Sequence, residues 1–371
     1  MTTMKEIAER TGVSVSTVSL VLNGRDAGRV KPGIAANVRK TAKELGYIPN
    51  PLARSLRTSK TKILGFISDE IATTPYAGRL ILGAQDAARS LGYMLFTVNT
   101  NGDQDLERHE IETLKRYDVD GFLYACMFDR PADLPGNLDP LPTVLLDGTD
   151  RSGRTVSIAP DERRIGYDAT QRLISVGCRS IAYIGAGGED RPRINGRILA
   201  DRYPADVLRE QGYQDALREA GMKVDPDLMV HVDYNHSALE SVETLFDDGH
   251  PDGFVCFNDA RAWYVYLCAA QRNLRIGRDI SVIGVDNHRL VSETLSPKLT
   301  TVDLPHYEMG YWGTLKLVSM IEHRPLDDMR PDDTVSPLPP LNVTNARIHC
   351  TLLDKCSVID GSSSHAAMIR Q

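Results

Sequence analysis

The sequence predicts two folds in series: an all-α helix-turn-helix head of three helices, joined to an α/β two-lobed body with parallel sheets. Charge is the first observation behind this. Residues 1–62 hold twelve Lys/Arg against four Asp/Glu, a net of +8, so the overall −7 leaves −15 on the rest. A basic head on an acidic body is the electrostatic footprint of a phosphate-binding module attached to something else. The second observation is periodicity. From Lys62 onward, apolar β-branched runs alternate with helical patterns in two series of similar size, which implies right-handed βαβ units. Third, 371 residues exceed one ordinary domain.

In the head, Thr3-Met4-Lys5-Glu6 has the form of a capping box, with Thr3 as N-cap. Ile7 and Ala8 supply an inward face and Gly12 permits a tight turn. Ser14 can cap a second helix, 15–22, whose Val18, Val21 and Leu22 would face Ile7 and Ala8. A third helix is expected over 33–45, with Val38, Ala42 and Leu45 on one stripe and Gly46 at its end. On the second helix, Val15, Ser16, Ser19, Leu20 and Asn23 share the face opposite the core. Small polar residues on a basic surface suit entry into the DNA major groove. Thr17 and Ser19 are short donors for phosphates. The alternative is an ordinary three-helix core with a solvated face.

In the body, strands are expected at 63–68, 93–98, 121–126, 143–147, 155–158, 180–185, 228–233, 253–257 and 280–285. Helices are expected between them at 77–91, 106–117, 166–176, 206–220, 237–247 and 260–272. Returning segments 299–304 and 307–321 would rejoin the first lobe. The expected domains are therefore 1–48 (head), 49–60 (hinge), 61–356 (body) and 357–371 (tail). Lobe one takes 61–150 and 291–322; lobe two takes 155–290 and 323–356. In such sheets a ligand binds in the crevice beyond the carboxyl ends of the strands. Asp147, Asn258 and Asp286 end strands there.

Several classes are disfavoured. No apolar run approaches a membrane span, and MTTMKEIAER is charged where a signal peptide is apolar. The six cysteines form no C-x-x-C pair, and His231, His236, His288 and His306 show no metal spacing, so no metal or cofactor is expected. No nucleophile-elbow, dinucleotide or P-loop motif occurs, which argues against an enzyme.

The stretches MKEIAERTGVSVSTVSLVLNG and KELGYIPNPLARSLRTSKTKILGFI resemble the LacI/GalR family of bacterial repressors. The likeness continues through Gln85-Asp86-Ala87-Ala88, Asn258-Asp259, Ile283-Gly284-Val285-Asp286 and Leu299-Thr300-Thr301-Val302. It implies a periplasmic-binding-protein-like body and a hinge helix, and it implicates Val15, Ser16 and Leu20 in base reading. Leu20 stands where Arg is common; leucine cannot make the bidentate contact to guanine but can touch a thymine methyl. In the hinge, Leu56 matches a leucine that wedges the minor groove, flanked by Arg54 and Arg57. The DNA-facing set is then Thr3, Ser14, Val15, Ser16, Thr17, Ser19, Leu20 and Asn23, continuing with Tyr47, Asn50, Ala53, Arg54, Leu56 and Arg57.

For the effector, the resemblance adds Arg209 as a clamp and Tyr76 and Tyr234 as aromatic platforms to Asp147, Asn258 and Asp286, with Asp161 a weaker candidate. Carboxylates, an amide, a guanidinium fork and aromatic faces are what vicinal hydroxyls and a pyranose ring need. The bland readings are helix caps, a surface ion pair for Arg209 and core packing for the tyrosines. The expected protein is a cytoplasmic homodimer on a near-palindromic operator, acting on carbohydrate-utilisation genes through a mono- or disaccharide. A solute-binding protein, a regulator with a phosphocarrier corepressor and a sugar-processing enzyme are the competing readings.

Overall fold

The structure, a computed structural model, describes residues 2–47, 60–74, 77–186, 193–194, 197–198, 203–232, 237–329, 331 and 334–359. It divides into two compact units, Met1–Thr61 and Lys62–Gln371.

In the first unit, α1 (Met4–Thr11) starts where Thr3 Oγ1 accepts the Glu6 amide at 3.3 Å. It stops at Gly12, whose φ of 67° is the left-handed conformation that glycine adopts without a Cβ penalty. Ser14 Oγ accepts the Thr17 amide at 3.1 Å and caps α2 (Val15–Leu22). α3 (Pro32–Glu44) begins on Pro32, a residue whose missing N–H costs nothing in the first turn. Ile7, Val18 and Val38 are fully buried where the three helices meet, with Ala8, Ala35 and Ala42 allowing close approach.

The second unit alternates strands and helices. The first series is β1 (Ile63–Ser68), α4 (Gly78–Ser90), β2 (Met94–Asn99), α5 (Gln104–Arg116), β3 (Gly121–Ala132), β4 (Thr143–Asp150) and β5 (Val156–Pro160). Next come α6 (Glu162–Ser175), β6 (Ile181–Ala186), a short pair β7 (Arg193–Ile194) and β8 (Arg197–Ile198), α7 (Pro204–Glu219) and β9 (Met229–Val232). The series ends with α8 (Ser237–Thr244), β10 (Gly253–Cys256), α9 (Asp259–Gln271), β11 (Ser281–Val285) and α10 (Arg289–Ser292). β12 (Thr300–Asp303), α11 (His306–Glu322), β13 (Asn345–Ile348) and β14 (Thr351–Leu353) complete it.

Two six-stranded sheets result, ordered β13-β5-β4-β3-β1-β2 and β14-β12-β11-β10-β6-β9. Within these two sheets all pairs are parallel except β12 with β14, and β7 with β8 forms a separate antiparallel pair.

The expected lobe boundaries are corrected at three places. β5 was expected in lobe two but pairs with β4 (Val144 opposite Val156), and β13 pairs with β5, so both belong to the first sheet. β12 was expected in lobe one but pairs with β11. The chain therefore crosses between sheets after β5, after β12 and between β13 and β14. Backbone pairing decides a strand's sheet, and side-chain pattern carries no information about which edge it joins. The third correction is the tail. Residues 357–359 are packed: Ser357 Oγ donates to the Val282 carbonyl at 2.6 Å and accepts the Thr300 amide at 2.7 Å, and Val358 and Ile359 are buried.

Reciprocal glycines bring two helix pairs together. A Cβ on Gly166 would lie 1.8 Å from the Arg209 carbonyl oxygen, and one on Gly212 would lie 1.9 Å from that of Arg163. Gly83 and Gly310 do the same for α4 and α11, against Tyr307 and Leu80. The contact of α6 with α7 sets the site, because it puts the first turn of α6 opposite Arg209.

Candidate functional site

The crossings after β5 and after β12 border a cavity at the carboxyl ends of both sheets. Phe128 and Asp147 line it from β3 and β4, Glu162 and Arg209 from α6 and α7, and Phe257, Asn258 and Asp286 from the ends of β10 and β11. Leu304 and His306, on the crossing from β12 to α11, close it. Four of the effector residues expected from sequence are thus brought together: Asp147, Arg209, Asn258 and Asp286. Tyr76 and Tyr234 lie outside the described residues. Aromatic faces are supplied by Phe128 and Phe257, and Tyr203 packs against both, with ring centroids at 4.6 and 6.4 Å.

Arg209 is neither a surface ion pair nor an unattached clamp. Only 3% exposed, it donates from Nε to Glu162 Oε2 at 2.5 Å and from Nη1 to the Phe257 carbonyl at 2.5 Å, with the guanidinium 4.5 Å over the Phe257 ring. Burial alone would lower its pKa, but the Glu162 carboxylate outweighs that and raises it. Glu162 was missed by the sequence reading, which placed Asp161 there. Asp161 is instead the N-cap of α6, accepting the Arg164 amide at 3.2 Å. Its neighbour Glu162 enters the cavity because it sits one turn before Gly166, the close-contact glycine; that spacing was the available signal. Asn258 combines both readings, capping α9 through the Arg261 amide at 3.1 Å while lining the cavity.

Asp147 and Asp286 are the unusual groups. Asp147 is 5% exposed, and its Oδ1 is buried with no hydrogen-bond partner among the described residues. A buried acceptor in this condition costs about 1–3 kcal/mol. Burial, then the Asp129 and Glu162 carboxylates, push Asp147 well above the usual carboxylate range. Burial does the same to Asp286, against the pull of Arg209 and with the help of Asp259. Asp129 and Asp259 are pushed up to about 6 and about 7, in both cases first by burial. His306 is pushed down to about 3 by burial and by the Arg79 and Arg209 guanidiniums, so it is a neutral imidazole at the cavity wall. Phe128, Asp147 and Asp286 have φ of 62°, 54° and 103°. Left-handed backbone at non-glycine residues stores strain of roughly 1–3 kcal/mol each, and such residues cluster at ligand sites. Buried carboxyls, one held guanidinium and a neutral imidazole together offer donors and acceptors to hydroxyls.

In the head, Val18 and Val21 face the core, while Val15 (46% exposed), Ser14 and Ser16 are exposed and Thr17, Ser19 and Leu20 are half-buried. Asn23 Nδ2 donates to the Ser19 carbonyl at 2.6 Å at the end of α2, and Thr3 and Ser14 cap helices. Tyr47 packs against the head core. Asn50, Ala53, Arg54, Leu56 and Arg57 lie outside the described residues.

Residues 3–50 match the bacterial regulatory proteins of the lacI family, and residues 170–342 match the periplasmic binding protein-like domain. The chain is 32% identical over 333 residues to the HTH-type transcriptional regulator RegA of Clostridium saccharobutylicum, covering 88% of this chain and 95% of that one. It is 33% identical to the ribose operon repressor of Escherichia coli, over 89% and 96% of the two chains. Among solved structures it resembles a complex of the transcriptional regulator CelR with cellobiose, with a TM-score of 0.61 at 26% identity over 96% of this chain and all of that one. With its DNA-reading head, its two parallel sheets and a cavity between them, the chain belongs to the LacI family of bacterial transcriptional regulators.

Proposed function

We propose that this protein is an operator-binding repressor of carbohydrate-utilisation genes, acting as a cytoplasmic homodimer, whose hold on DNA is set by a mono- or disaccharide in the cavity between the lobes. The unsatisfied, buried Asp147 Oδ1, facing the same cavity as Asp286 and Arg209, carries the effector reading. It is an acceptor that a hydroxyl donor would satisfy, and the CelR structure holds a disaccharide. On the DNA side, Val15, Ser16 and Leu20 form the reading face of α2. Trp263 and Leu267, one turn apart on α9 and 48% and 43% exposed, and Leu290 on α10, 72% exposed, offer apolar surface to a second copy. Catalysis has no part in this reading. No helix among the described residues is long and apolar enough to cross a membrane.

The experiment is a melting screen of the full protein with neutral mono- and disaccharides, since only ligands of the native state raise the melting temperature. Operator affinity is then measured with and without the sugar found, on specific and scrambled DNA and across salt. A sugar that raises the melting temperature and changes operator affinity supports the reading. If no sugar does either, the effector assignment falls; if affinity is flat in salt and equal on scrambled DNA, the operator assignment falls.

Leu20→Arg gives a sharper result on the head. Site selection from random DNA is expected to shift toward guanine at the base Leu20 faces, because arginine can bond O6 and N7 together, a pair worth about 1–3 kcal/mol of discrimination. An unchanged consensus would place the reading face elsewhere.

A further inference from the structure

Away from the effector cavity, α7 and β9 bring together three side chains that sequence spacing did not connect. Asp206 and Glu210 are one turn apart on α7, and His231 comes from β9. Their ligating atoms all lie within 4.8 Å of one another: His231 Nε2 is 3.0 Å from Glu210 Oε2 and 3.8 Å from Asp206 Oδ2. None of the three lines the cavity described above.

The surroundings hold this trio in place. Asp206 is fully buried, and its Oδ1 accepts from the Tyr183 hydroxyl at 2.8 Å and from the Ala186 amide at 3.0 Å. Those bonds orient the second oxygen toward the histidine, the arrangement that supports a ligating carboxylate in metal sites. β6 and β9 pair with Gly185 directly opposite His231. A Cβ on Gly185 would lie 2.4 Å from His231 Cδ2 and 2.8 Å from Asp206 Oδ1, so the ring lies against the strand only because the residue opposite is glycine. The His231 side chain is 27% exposed and that of Glu210 14%, leaving one side open to water. A tetrahedral ion with bonds of about 2.0–2.2 Å separates its ligand atoms by roughly 3.3 Å, inside the spread seen here. One imidazole and two carboxylates with an open position is a borderline donor set that favours Zn2+ over Mg2+, which prefers oxygen alone.

We propose that Asp206, Glu210 and His231 form a divalent-cation site of the zinc class, with water completing the coordination. The ion takes up the space between His231 Nε2 and the two carboxylates, and it ties β9 to the N-terminal half of the helix that carries Arg209.

The test is calorimetric titration of the full protein with Zn2+, with Mg2+ as the comparison ion, alongside thermal melting in each. Wild type is expected to bind Zn2+ at this site and melt higher, and Mg2+ to do neither. His231→Gln and Glu210→Gln, both at partly exposed positions, are expected to weaken that binding by about 10–100-fold and to remove the rise in melting temperature, while melting like wild type without metal. Any weaker sites elsewhere on the surface remain unchanged in the variants. If wild type and both variants take up Zn2+ with the same stoichiometry and affinity, or if wild type takes up none, the trio is an ordinary hydrogen-bonded cluster and the proposal is overturned.

Discussion

Arg209→Ala is expected to lower stability by about 3–5 kcal/mol, because it strips the counter-ion from a carboxylate buried beside it. Glu162 has a side chain only 2% exposed, and Arg209 Nε is its ion-pair partner at 2.5 Å. Without the guanidinium, no cation offsets the Glu162 carboxylate beside the Asp286 carboxyl. Denaturant unfolding measures the loss directly. The double variant Arg209→Met, Glu162→Gln should recover most of it, since replacing a buried pair by neutral groups of similar volume is often close to neutral. A single variant as stable as wild type would show that water, and not Arg209, solvates Glu162. Arg209→Ala is thus a poor probe of the effector: a residue expected from sequence to act only as a clamp also holds the α6–α7 contact together.

Asp147→Asn separates stability from binding. The substitution keeps the shape and tolerates the left-handed φ of 54°, but it removes a carboxylate crowded by Asp129 and Glu162. The folded pKa of Asp147 is raised. Its favourable contribution is therefore complete below the unfolded carboxylate value of about 4 and is lost as pH rises through the folded value. The variant is accordingly expected to match wild type at or below about pH 4 and to melt progressively higher than wild type as pH rises above it. Its effector affinity is expected to fall by about tenfold, roughly 1.4 kcal/mol, because the amide Nδ2 that replaces one carboxyl oxygen cannot accept a hydrogen bond from a hydroxyl. Melting curves across pH and titration with the sugar found in the screen decide both. A variant less stable than wild type at high pH would mean that Asp147 has a partner in the native protein; unchanged affinity would remove it from the site.

Local chemistry made the head legible in sequence. Thr3, Gly12 and Ser14 act within a few residues of where they stand, and Ile7, Val18 and Val38 declare a core by their spacing. The alternation of strands and helices in the body was legible for the same reason, as were Asp147, Asn258 and Asp286, because groups ending parallel strands share one edge of the sheet. The third crossing, the sheet that β5, β12 and β13 each join, and the packing of residues 357–359 were not, since they depend on which backbone edge is unpaired once the rest has assembled. Glu162 and the Asp206–Glu210–His231 trio likewise exist only in three dimensions. One is placed by the interlocking of Gly166 and Gly212 across two helices, the other by Gly185 opposite His231. Local residue chemistry is enough to read most of the elements, the charge division and the sheet edge at which Asp147, Asn258 and Asp286 stand; which charges share that space follows only from packing, because burial and pairing across 47 residues between Glu162 and Arg209 leave no local trace.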